Sequence, residues 1–347
     1  MNWLFNLLIM NKKRLPVLFV AAMTLMMVAC SDMNGYKKKL DAPCSKLEPS
    51  ELRILEYNKA LFSIDTSDFA AGLMKITPLF RDLLGDDIDD DDVEFLKDFV
   101  TDPFVLELNG LVEAEFHDIT TVENKVKYVF QHLAYYYPDI QLPEVYSYVS
   151  GVDYQSGPVM ITDDCVLISL DYYLDNKNNV YDKIGMPRYI SRRCQVASLT
   201  KDLSESIYNT FIYKEQMSSN VLSEMVEKGK RYYFIEAMDP SLPDSIILGY
   251  SAAQMDWAVN SEGELWASVV GNNMLYSNGY EQRRLLFNDG PFTAAFSDKS
   301  PSRLGDFIGL QIVRSFMTNN DVSLNELLTM TDAQDIFQRS RYKPPKR

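Results

Sequence analysis

Residues 159–170 have the sequence Val-Met-Ile-Thr-Asp-Asp-Cys-Val-Leu-Ile-Ser-Leu. The Asp163-Asp164 pair separates two apolar runs, and this pattern predicts a β-hairpin with a turn at the aspartates. The second run, 165–170, contains no charged residue, so we expect its strand to be buried on both faces of a sheet. This hairpin places a small sheet in the middle of the chain.

The segments on both sides of the hairpin are mostly helical. A further strand is predicted at 144–151, where β-branched and aromatic residues are frequent. Helical periodicity predicts helices at 50–63, at 66–85 with a break at Pro78, from Val93, at 120–138 and almost throughout after Pro187. Capping boxes are predicted at Thr120 with Glu123, Ser251 with Gln254, Ser323 with Glu326, and Thr331 with Gln334. The class is therefore α+β: mainly helical, with a small central β-sheet wrapped by helices on both sides.

The composition indicates a large acidic body. The chain has 347 residues, of which 46% are hydrophobic, and a formal net charge of −15. Removal of residues 1–29 takes away three basic residues and makes the balance −18. Nucleic acid is excluded as a partner because its phosphates require basic surface. The remaining chain is long enough to bury a sizeable core, as one domain or as two fused lobes.

The N-terminus predicts export and lipidation. Lys12-Lys13-Arg14 precedes an uncharged apolar run at 15–29, which is shorter than a membrane span, and Ala29 stands before Cys30. We interpret 1–29 as a lipoprotein signal peptide, Cys30 as the lipid attachment residue carrying diacylglycerol and palmitate, and 30–49 as a flexible tether. The alternative is an ordinary signal peptide with a chance cysteine. Met10 is an alternative start that would place the basic residues at the very beginning.

Two further features have competing interpretations. Cys165 and Cys194 are either buried free thiols or a disulfide, while Cys44 leaves the thiol count odd. The aspartate run at 86–92 resembles a calcium loop but lacks its glycine and distal glutamate. We favour a solvated connection whose last aspartates stabilise the N-terminus of the following helix.

Catalytic signatures are weak. The sequence has two histidines, His117 and His132, and neither lies near a nucleophile motif. Where a zinc peptidase has His-Glu-x-x-His on a late helix, residues 201–205 are Lys-Asp-Leu-Ser-Glu. Lysine cannot replace a neutral imidazole at zinc, so we favour an exposed helix face with an i,i+4 pair between Lys201 and Glu205. Gly305 and Gly309 are predicted to permit close helix packing, since no phosphate-binding loop is present.

Several separated blocks of the chain are distinctive. The C-terminal blocks are Asn-Asp-Gly-Pro-Phe-Thr (288–293), Ser-Pro-Ser-Arg-Leu-Gly (300–305), Gly-Leu-Gln-Ile-Val-Arg-Ser (309–315), Asp-Ala-Gln-Asp-Ile-Phe (332–337) and Tyr-Lys-Pro (342–344). Earlier blocks lie at 186–193, 229–238, 249–250 and 254–257. Together these blocks resemble the gliding-motility lipoprotein GldB family of Bacteroidota. The resemblance implies one GldB-like globular domain at 50–347 and a fold related to zincin-like peptidases without their metal motif. In such peptidases a Glu-Gly pair gives the third ligand, and Glu227-Lys228-Gly229 is similar but out of register.

The resemblance and the signal together imply a non-catalytic lipoprotein of the cell envelope, facing the periplasm or the cell surface. We expect it to support an envelope or surface-machinery complex, with the membrane and envelope proteins as partners and no cofactor. The alternative is a zincin-like metal-dependent peptidase relative with unusual ligands, for which Asp202, Glu205 and Glu227 are the candidates. A weaker hypothesis, suggested by the 21 tyrosines, is a glycan-binding module.

Two arginines are candidates for a partner-binding or a structural role, Arg303 and Arg314. Arg303 follows Ser-Pro-Ser at a predicted helix start, where the helix dipole disfavours a cation. A cation there requires a specific partner. The structural interpretation is an inter-helix ion pair, and the functional one is a binding-site arginine.

Overall fold

The computed structural model describes residues 35–40, 42–43, 52–152, 157–214 and 220–345. Four strands form one mixed sheet in the order β1-β2-β4-β3. The strands are β1 (Ile54–Glu56), β2 (Glu144–Tyr148), β3 (Val159–Ile161) and β4 (Cys165–Ser169). Strands β1, β2 and β4 are parallel, and β3 pairs antiparallel with β4. The predicted hairpin, the complete burial of β4 and the α+β class are confirmed.

Helices make up most of the remainder. They are α1 (Lys37–Leu40), α2 (Tyr57–Phe62), α3 (Phe69–Ile76), α4 (Arg81–Leu84), α5 (Asp90–Thr101), α6 (Pro103–Glu115), α7 (Thr120–Tyr136), α8 (Val180–Lys183), α9 (Arg188–Ser191), α10 (Leu199–Ile207), α11 (Val221–Met238), α12 (Asp244–Leu248), α13 (Ala252–Gly271), α14 (Tyr280–Phe287), α15 (Leu304–Asn319), α16 (Leu324–Thr329) and α17 (Ala333–Ser340). Helix α10 continues into a π-helical turn at Tyr208–Ile212.

The sheet separates two hydrophobic cores. Side chains alternate between the faces of a strand, so neighbouring residues enter different cores. Val145 and Val166 pack with α7 and the C-terminal helices, whereas Tyr146 and Leu167 pack with α2, α3 and the end of α5. The sheet is therefore covered by helices on both faces, as the sequence predicted.

Strand β1 corrects the predicted helix at 50–63. Ile54 to Glu56 pair in parallel with Val145 to Ser147 of β2, and the helix begins only at Tyr57. The peptide N–H of Ile54 donates to Glu123 Oε1 on α7 at 3.2 Å, which fixes the start of the strand. A three-residue edge strand of this kind is determined by its distant partner rather than by local sequence preference.

Two predicted helix caps are also wrong. The side chains of Thr120 and Glu123 do not form a capping box; instead Asp118 accepts from the Thr120 N–H at 2.9 Å. Likewise Asp332, rather than Thr331, caps α17 by accepting from two N–H groups of the first turn. Asp332 directly follows the predicted Thr331, whereas Asp118 lies two positions before the predicted Thr120. In both places an aspartate accepts the hydrogen bond, and its carboxylate also favours the positive end of the helix dipole.

Other predicted helix starts are confirmed. The Ser251 and Ser323 capping boxes are both formed. Asp89 caps α5 in a reciprocal arrangement with Asp92, so the aspartate run does serve a helix N-terminus. The favoured interpretation of that run is thereby confirmed for its last residues.

Helices α11 and α15 cross in the centre of the C-terminal half at their glycines. A Cβ added at Gly309 would lie 1.9 Å from the carbonyl oxygen of Met225, and one at Gly229 would lie 2.2 Å from that of Gly309. A Cβ at Gly305 would lie 2.3 Å from the Phe287 ring on α14. The predicted packing role of Gly305 and Gly309 is confirmed, because a side chain at either position requires the neighbouring element to move.

Part of the predicted tether is packed against the body. Tyr36 and Leu40 are buried, and the Lys39 ammonium donates to the carbonyl oxygen of Asn320 at the end of α15. The Arg314 guanidinium lies 5.1 Å from the centre of the Tyr36 ring. The segment at 35–40 therefore belongs to the folded body, while Cys30, the signal peptide and Cys44 lie outside the described residues.

Candidate functional site

Eight charged side chains from five parts of the chain form a connected network. We call this network the charged cluster: Arg193, Lys201, Asp202, Glu205, Arg231, Asp289, Arg303 and Asp306. Apart from Asp306, each side chain keeps between 14% and 37% of its surface exposed, so solvent reaches most of the network. Because a polar network that solvent reaches can also meet a ligand, this region is the candidate functional site.

Helix α10 provides one end of the charged cluster. The Lys201 ammonium lies 3.1 Å from Asp202 Oδ1 and 2.5 Å from Glu205 Oε2. The Tyr173 hydroxyl donates to the other Asp202 oxygen at 3.2 Å, and Arg231 Nη1 lies 3.2 Å from Glu205 Oε1. The predicted pair between Lys201 and Glu205 is confirmed, but the helix face is partly buried rather than exposed.

The ionisation of the two carboxylates differs because their neighbours differ. Burial raises the pKa of Glu205, but Lys201 and Arg231 together lower it by a larger amount. The net effect is a pKa well below the ordinary value. Burial raises the pKa of Asp202, and Lys201 only partly offsets this effect. Glu205 is therefore the firmly ionised carboxylate of the pair.

The middle of the charged cluster connects α11 to α15. Arg231 Nη2 donates to the Tyr232 hydroxyl at 3.3 Å, and this hydroxyl donates to Asp306 Oδ2 at 2.9 Å. Arg303 Nη1 donates to the same hydroxyl at 2.9 Å. Asp306 is 2% exposed, and burial raises its pKa against the opposing effect of Arg303 and Arg231. One tyrosine thus joins two arginines to a buried carboxylate.

Arg193 and Arg303 form the other end of the charged cluster. Arg193 makes a bidentate contact with Asp289, with distances of 2.7 Å and 2.9 Å, and Arg303 Nε lies 3.2 Å from Asp289 Oδ1. Ser302 also donates to Asp289 at 3.0 Å. Burial raises the pKa of Asp289, but Arg193 and Arg303 lower it more, and the net pKa is well below the usual range. Asp289 is held as a carboxylate between two guanidinium groups.

Arg303 sits where the sequence placed it, immediately before α15, with a left-handed backbone (φ 54°). Its carboxylate neighbours are Asp306 on the same helix, at 3.8 Å, and Asp289 in the preceding loop. Another helix contributes the Tyr232 hydroxyl. The unfavourable helix dipole at Arg303 is therefore offset by two carboxylates.

Arg314 lies in a separate ion-pair group. Its guanidinium makes two contacts of 3.0 Å with Glu236 on α11 and two of 2.7 Å with Asp244 on α12. Arg314 and Glu236 are 7% and 4% exposed. This geometry is an inter-helix ion pair, which is the structural interpretation of this residue.

The candidate peptidase ligands do not meet at one point. Glu227 accepts from the Tyr208 hydroxyl at 2.9 Å and lies 3.5 Å from Lys230, whereas Asp202 and Glu205 surround Lys201. Across the described parts of the chain, no three His, Cys, Asp or Glu side chains are grouped to hold a metal ion. His132 is buried with Nδ1 2.9 Å from the Tyr128 carbonyl oxygen.

The described cysteines are free thiols. Cys165 and Cys194 are both buried, so the free-thiol interpretation is confirmed and the disulfide alternative is wrong. Burial is the main cause that raises the pKa of both thiols, to about 12 for Cys194. A thiol of raised pKa is a poor nucleophile, and neither cysteine belongs to the charged cluster.

Sequence reasoning missed most of this site. The blocks that resemble the GldB family contain Arg193, Arg231, Tyr232 and Asp289, but no sequence pattern indicated that these residues contact one another. Arg193 and Asp289 are 96 positions apart. One sequence feature could have indicated the site: five of the blocks that resemble the GldB family contribute residues to this region. They are the blocks at 186–193, 229–238, 249–250, 288–293 and 300–305.

The fold and this region define a class of protein: a mainly helical α+β body with a salt-bridged charged cluster between α10, α11 and α15. The family model of the gliding motility protein GldB matches residues 37–344, and the chain belongs to this family. No curated protein and no solved structure matches the chain. Among the described helices, none has the length and apolar character needed to cross a membrane.

Removing the ammonium between the carboxylates tests the α10 end of the cluster. We expect Lys201→Met to lower the free energy of unfolding by about 2 kcal/mol at pH 7, because it leaves Asp202 and Glu205 partly buried without their nearest cation. The depressed pKa of Glu205 contributes stability above the unfolded-state pKa of about 4.3, and this contribution fades as the pH falls below it. The difference between variant and wild type should therefore persist from pH 7 down to about pH 4.3 and shrink as the pH falls further, as measured by thermal melting.

Lys59→Met is the matched control for this prediction. Lys59 lies 2.5 Å from Glu56 in an i,i+3 pair, but its side chain is 39% exposed. An exposed pair of this kind contributes at most about 1 kcal/mol. Equal losses in the two variants would show that the Lys201 pair has no special role.

Proposed function

We propose that the protein is a non-catalytic lipoprotein of the cell envelope, anchored by lipid on Cys30, that supports a complex of the envelope or surface machinery. Membership in the GldB family supports the link to gliding motility. The basic patch, the short apolar run and the Ala29-Cys30 pair support the anchor. Two or three acyl chains hold a protein stably at a membrane, whereas a single chain does so only marginally.

The position of the Lys201 ammonium is the one observation that carries the non-catalytic part of the proposal. A metal peptidase needs neutral imidazoles or carboxylates as metal ligands, and it needs an unpaired general base beside the metal. On α10 the cation is supplied by the protein itself, and it contacts both Asp202 and Glu205. Both carboxylates are thereby committed to a salt bridge instead of being available as ligand or base.

The charged cluster suits a binding role. It joins α10, α11 and α15 through contacts between side chains that keep part of their surface exposed. Such a network holds its donors and acceptors in fixed positions, and a partner can use them without rearranging the fold. We therefore place the contact with a partner at this face of the protein.

Labelling of Cys30 tests the anchor. In cells fed a radioactive or clickable palmitate, the wild-type chain is expected to carry label and to sediment with membranes. Cys30→Ala should lose the label and appear in the supernatant after lysis, while Cys44→Ala should behave as the wild type. Label that persists in Cys30→Ala would rule out lipidation at this residue.

Metal content tests the non-catalytic assignment. The full chain, extracted in detergent and incubated with zinc, is expected to retain none after gel filtration. Stoichiometric zinc that disappears in Glu205→Gln but remains in the exposed-site control Glu281→Gln would support the peptidase alternative and overturn the proposal. Crosslinking in intact cells then identifies the partners, with recovery of specific envelope proteins expected.

A further inference from the structure

A surface groove runs between helix α14 and the loop that follows it. It has a volume of about 570 Å³, and its walls include Glu281, Arg284 and Asn288 on the side of α14 and Phe292 on the side of the loop. Small-molecule sites have volumes of roughly 300–1,000 Å³, so the groove has room for a ligand of several linked rings. Of the charged cluster, only Asp289 reaches this groove.

The loop wall of the groove is held in place by hydrogen bonds. Gln254 Nε2 donates to the carbonyl oxygen of Pro291 at 2.9 Å, and Thr293 Oγ1 donates to that of Pro301 at 2.9 Å. Phe292 lies between these two anchored residues and keeps 42% of its surface exposed. A ligand therefore meets a preformed wall, and its binding does not have to order the loop.

The helical wall presents polar atoms whose hydrogen-bonding capacity is not used. Arg284 Nε and Nη2 donate to Glu281 Oε2 at 3.3 Å and 2.9 Å. Within the described parts of the chain, Arg284 Nη1, Glu281 Oε1 and the Asn288 side chain have no hydrogen-bond partner. Donors and acceptors are thus both available along this wall, since an asparagine amide contains both and the ion pair contributes one of each.

The groove has no unbalanced charge, although the chain has a net charge of −15. Its charged wall residues are Glu281, Arg284 and Asp289. The first two form an ion pair, and Asp289 is paired with Arg193 and Arg303 behind the wall. A site whose charges are already paired offers no complementary charge to an ionic ligand, so this groove suits a neutral polar molecule.

Apolar side chains complete the lining of the groove. Phe292 presents its exposed ring, and the partly buried Leu285 and Met274 also contribute. A sugar ring combines an apolar C–H face, which can pack on an aromatic ring, with hydroxyl groups around its edge. Each hydroxyl group both donates and accepts a hydrogen bond, so sugars need the mixture of donors and acceptors that this groove has.

We propose that the groove binds a neutral oligosaccharide, with a sugar ring packed on Phe292 and hydroxyl groups hydrogen-bonded to Asn288 and Arg284. A polypeptide is less well matched, because an extended peptide pairs with an exposed strand edge, whereas a helix and a loop form these walls. An acyl chain would cover the polar atoms of the helical wall without offering them a partner, which is unfavourable. This inference goes beyond the proposed function and does not rest on the anchor at Cys30.

Titration of defined hexasaccharides into the full chain tests this proposal. The protein is extracted in a detergent without a sugar head group, and maltohexaose, cellohexaose and chitohexaose are titrated separately in a calorimeter. We expect at least one of them to bind with a Kd of about 1 mM or lower. Phe292→Ala and Asn288→Ala should each weaken this binding about tenfold, because the first loses the packing surface and the second a hydrogen-bonding group.

Phe95→Ala and Asn124→Ala are the matched controls. Phe95 is 69% exposed on α5, Asn124 is exposed on α7, and neither lines the groove. Both variants should bind as the wild type does, and a loss equal to that of the groove variants would overturn the proposal.

Three further outcomes would contradict a neutral oligosaccharide. One is no binding of any of the three hexasaccharides up to about 10 mM. The second is tighter binding of hexaalanine, which would assign the groove to a polypeptide. The third is binding of hexagalacturonic acid alone, which would assign it to an anionic sugar. None of these results depends on lipidation or zinc content, so the proposed function is judged separately.

Discussion

Gly309→Ala is expected to lower the free energy of unfolding by about 3 kcal/mol or more. The new Cβ would lie 1.9 Å from the Met225 carbonyl oxygen, which is backbone and cannot rotate away. Helices α11 and α15 must then separate, and every buried contact between them becomes weaker. Thermal melting followed by circular dichroism should show a markedly lower midpoint or a chain that does not fold.

Gly110→Ala is the control for this prediction. Gly110 lies inside α6, and a Cβ added there meets no atom within 4 Å. Replacing an unencumbered helical glycine with alanine stabilises by roughly 0.5–1 kcal/mol, because alanine has the higher helix propensity. A Gly309→Ala variant that melts at or above the wild-type midpoint would mean that the two helices are further apart than described.

Arg314→Met is expected to destabilise the fold by about 3–5 kcal/mol at neutral pH. The substitution leaves Glu236, which is 4% exposed, as a buried carboxylate without its cation. Burial already raises the pKa of Glu236 despite Arg314, and without the arginine it will rise further. When the folded-state pKa of a carboxyl group is raised, the free energy of unfolding falls as the pH rises and the group ionises. The variant should therefore be closer in stability to wild type at pH 5 than at pH 8.

Two comparison variants isolate the charge effect. Arg339→Gln breaks an exposed pair with Asp335, in which both side chains are more than 40% exposed, and should change stability by less than about 1 kcal/mol. Adding Glu236→Gln to Arg314→Met removes the orphaned charge and should restore part of the loss. If this double variant is no more stable than the single one, the loss arises from packing and not from the buried carboxylate.

The sequence was sufficient for features that local residues determine. The β3–β4 hairpin follows from two apolar runs around Asp163-Asp164, and the serine capping boxes follow from residues three positions apart. Strand β1 was missed because its three residues gain their stability from β2, almost ninety positions later. The two misplaced caps show that an aspartate within two positions of a predicted threonine cap can accept the hydrogen bond instead, as Asp118 and Asp332 do.

The site was predictable only at single residues. The pair of Lys201 and Glu205 follows from helical spacing, and Arg303 was conspicuous because a cation at a helix start needs compensation. Two residues that contact its guanidinium, Asp289 and Tyr232, lie 14 and 71 positions earlier in the chain. Long-range contacts of this kind depend on the helix crossing at Gly229 and Gly309. The spacing of Gly305 and Gly309 predicted close helix packing, but it did not identify α11 as the partner helix.

The packed N-terminal segment sets the distance between the body and its anchor. Gly35 packs closely against α15, because a Cβ added at Gly35 would lie 2.9 Å from the Thr318 side chain. From Cys30 to Gly35 there are five residue steps, which span at most about 18 Å when fully extended. With lipid on Cys30, as proposed, Gly35 and the part of α15 against which it packs lie within that distance of the anchored residue.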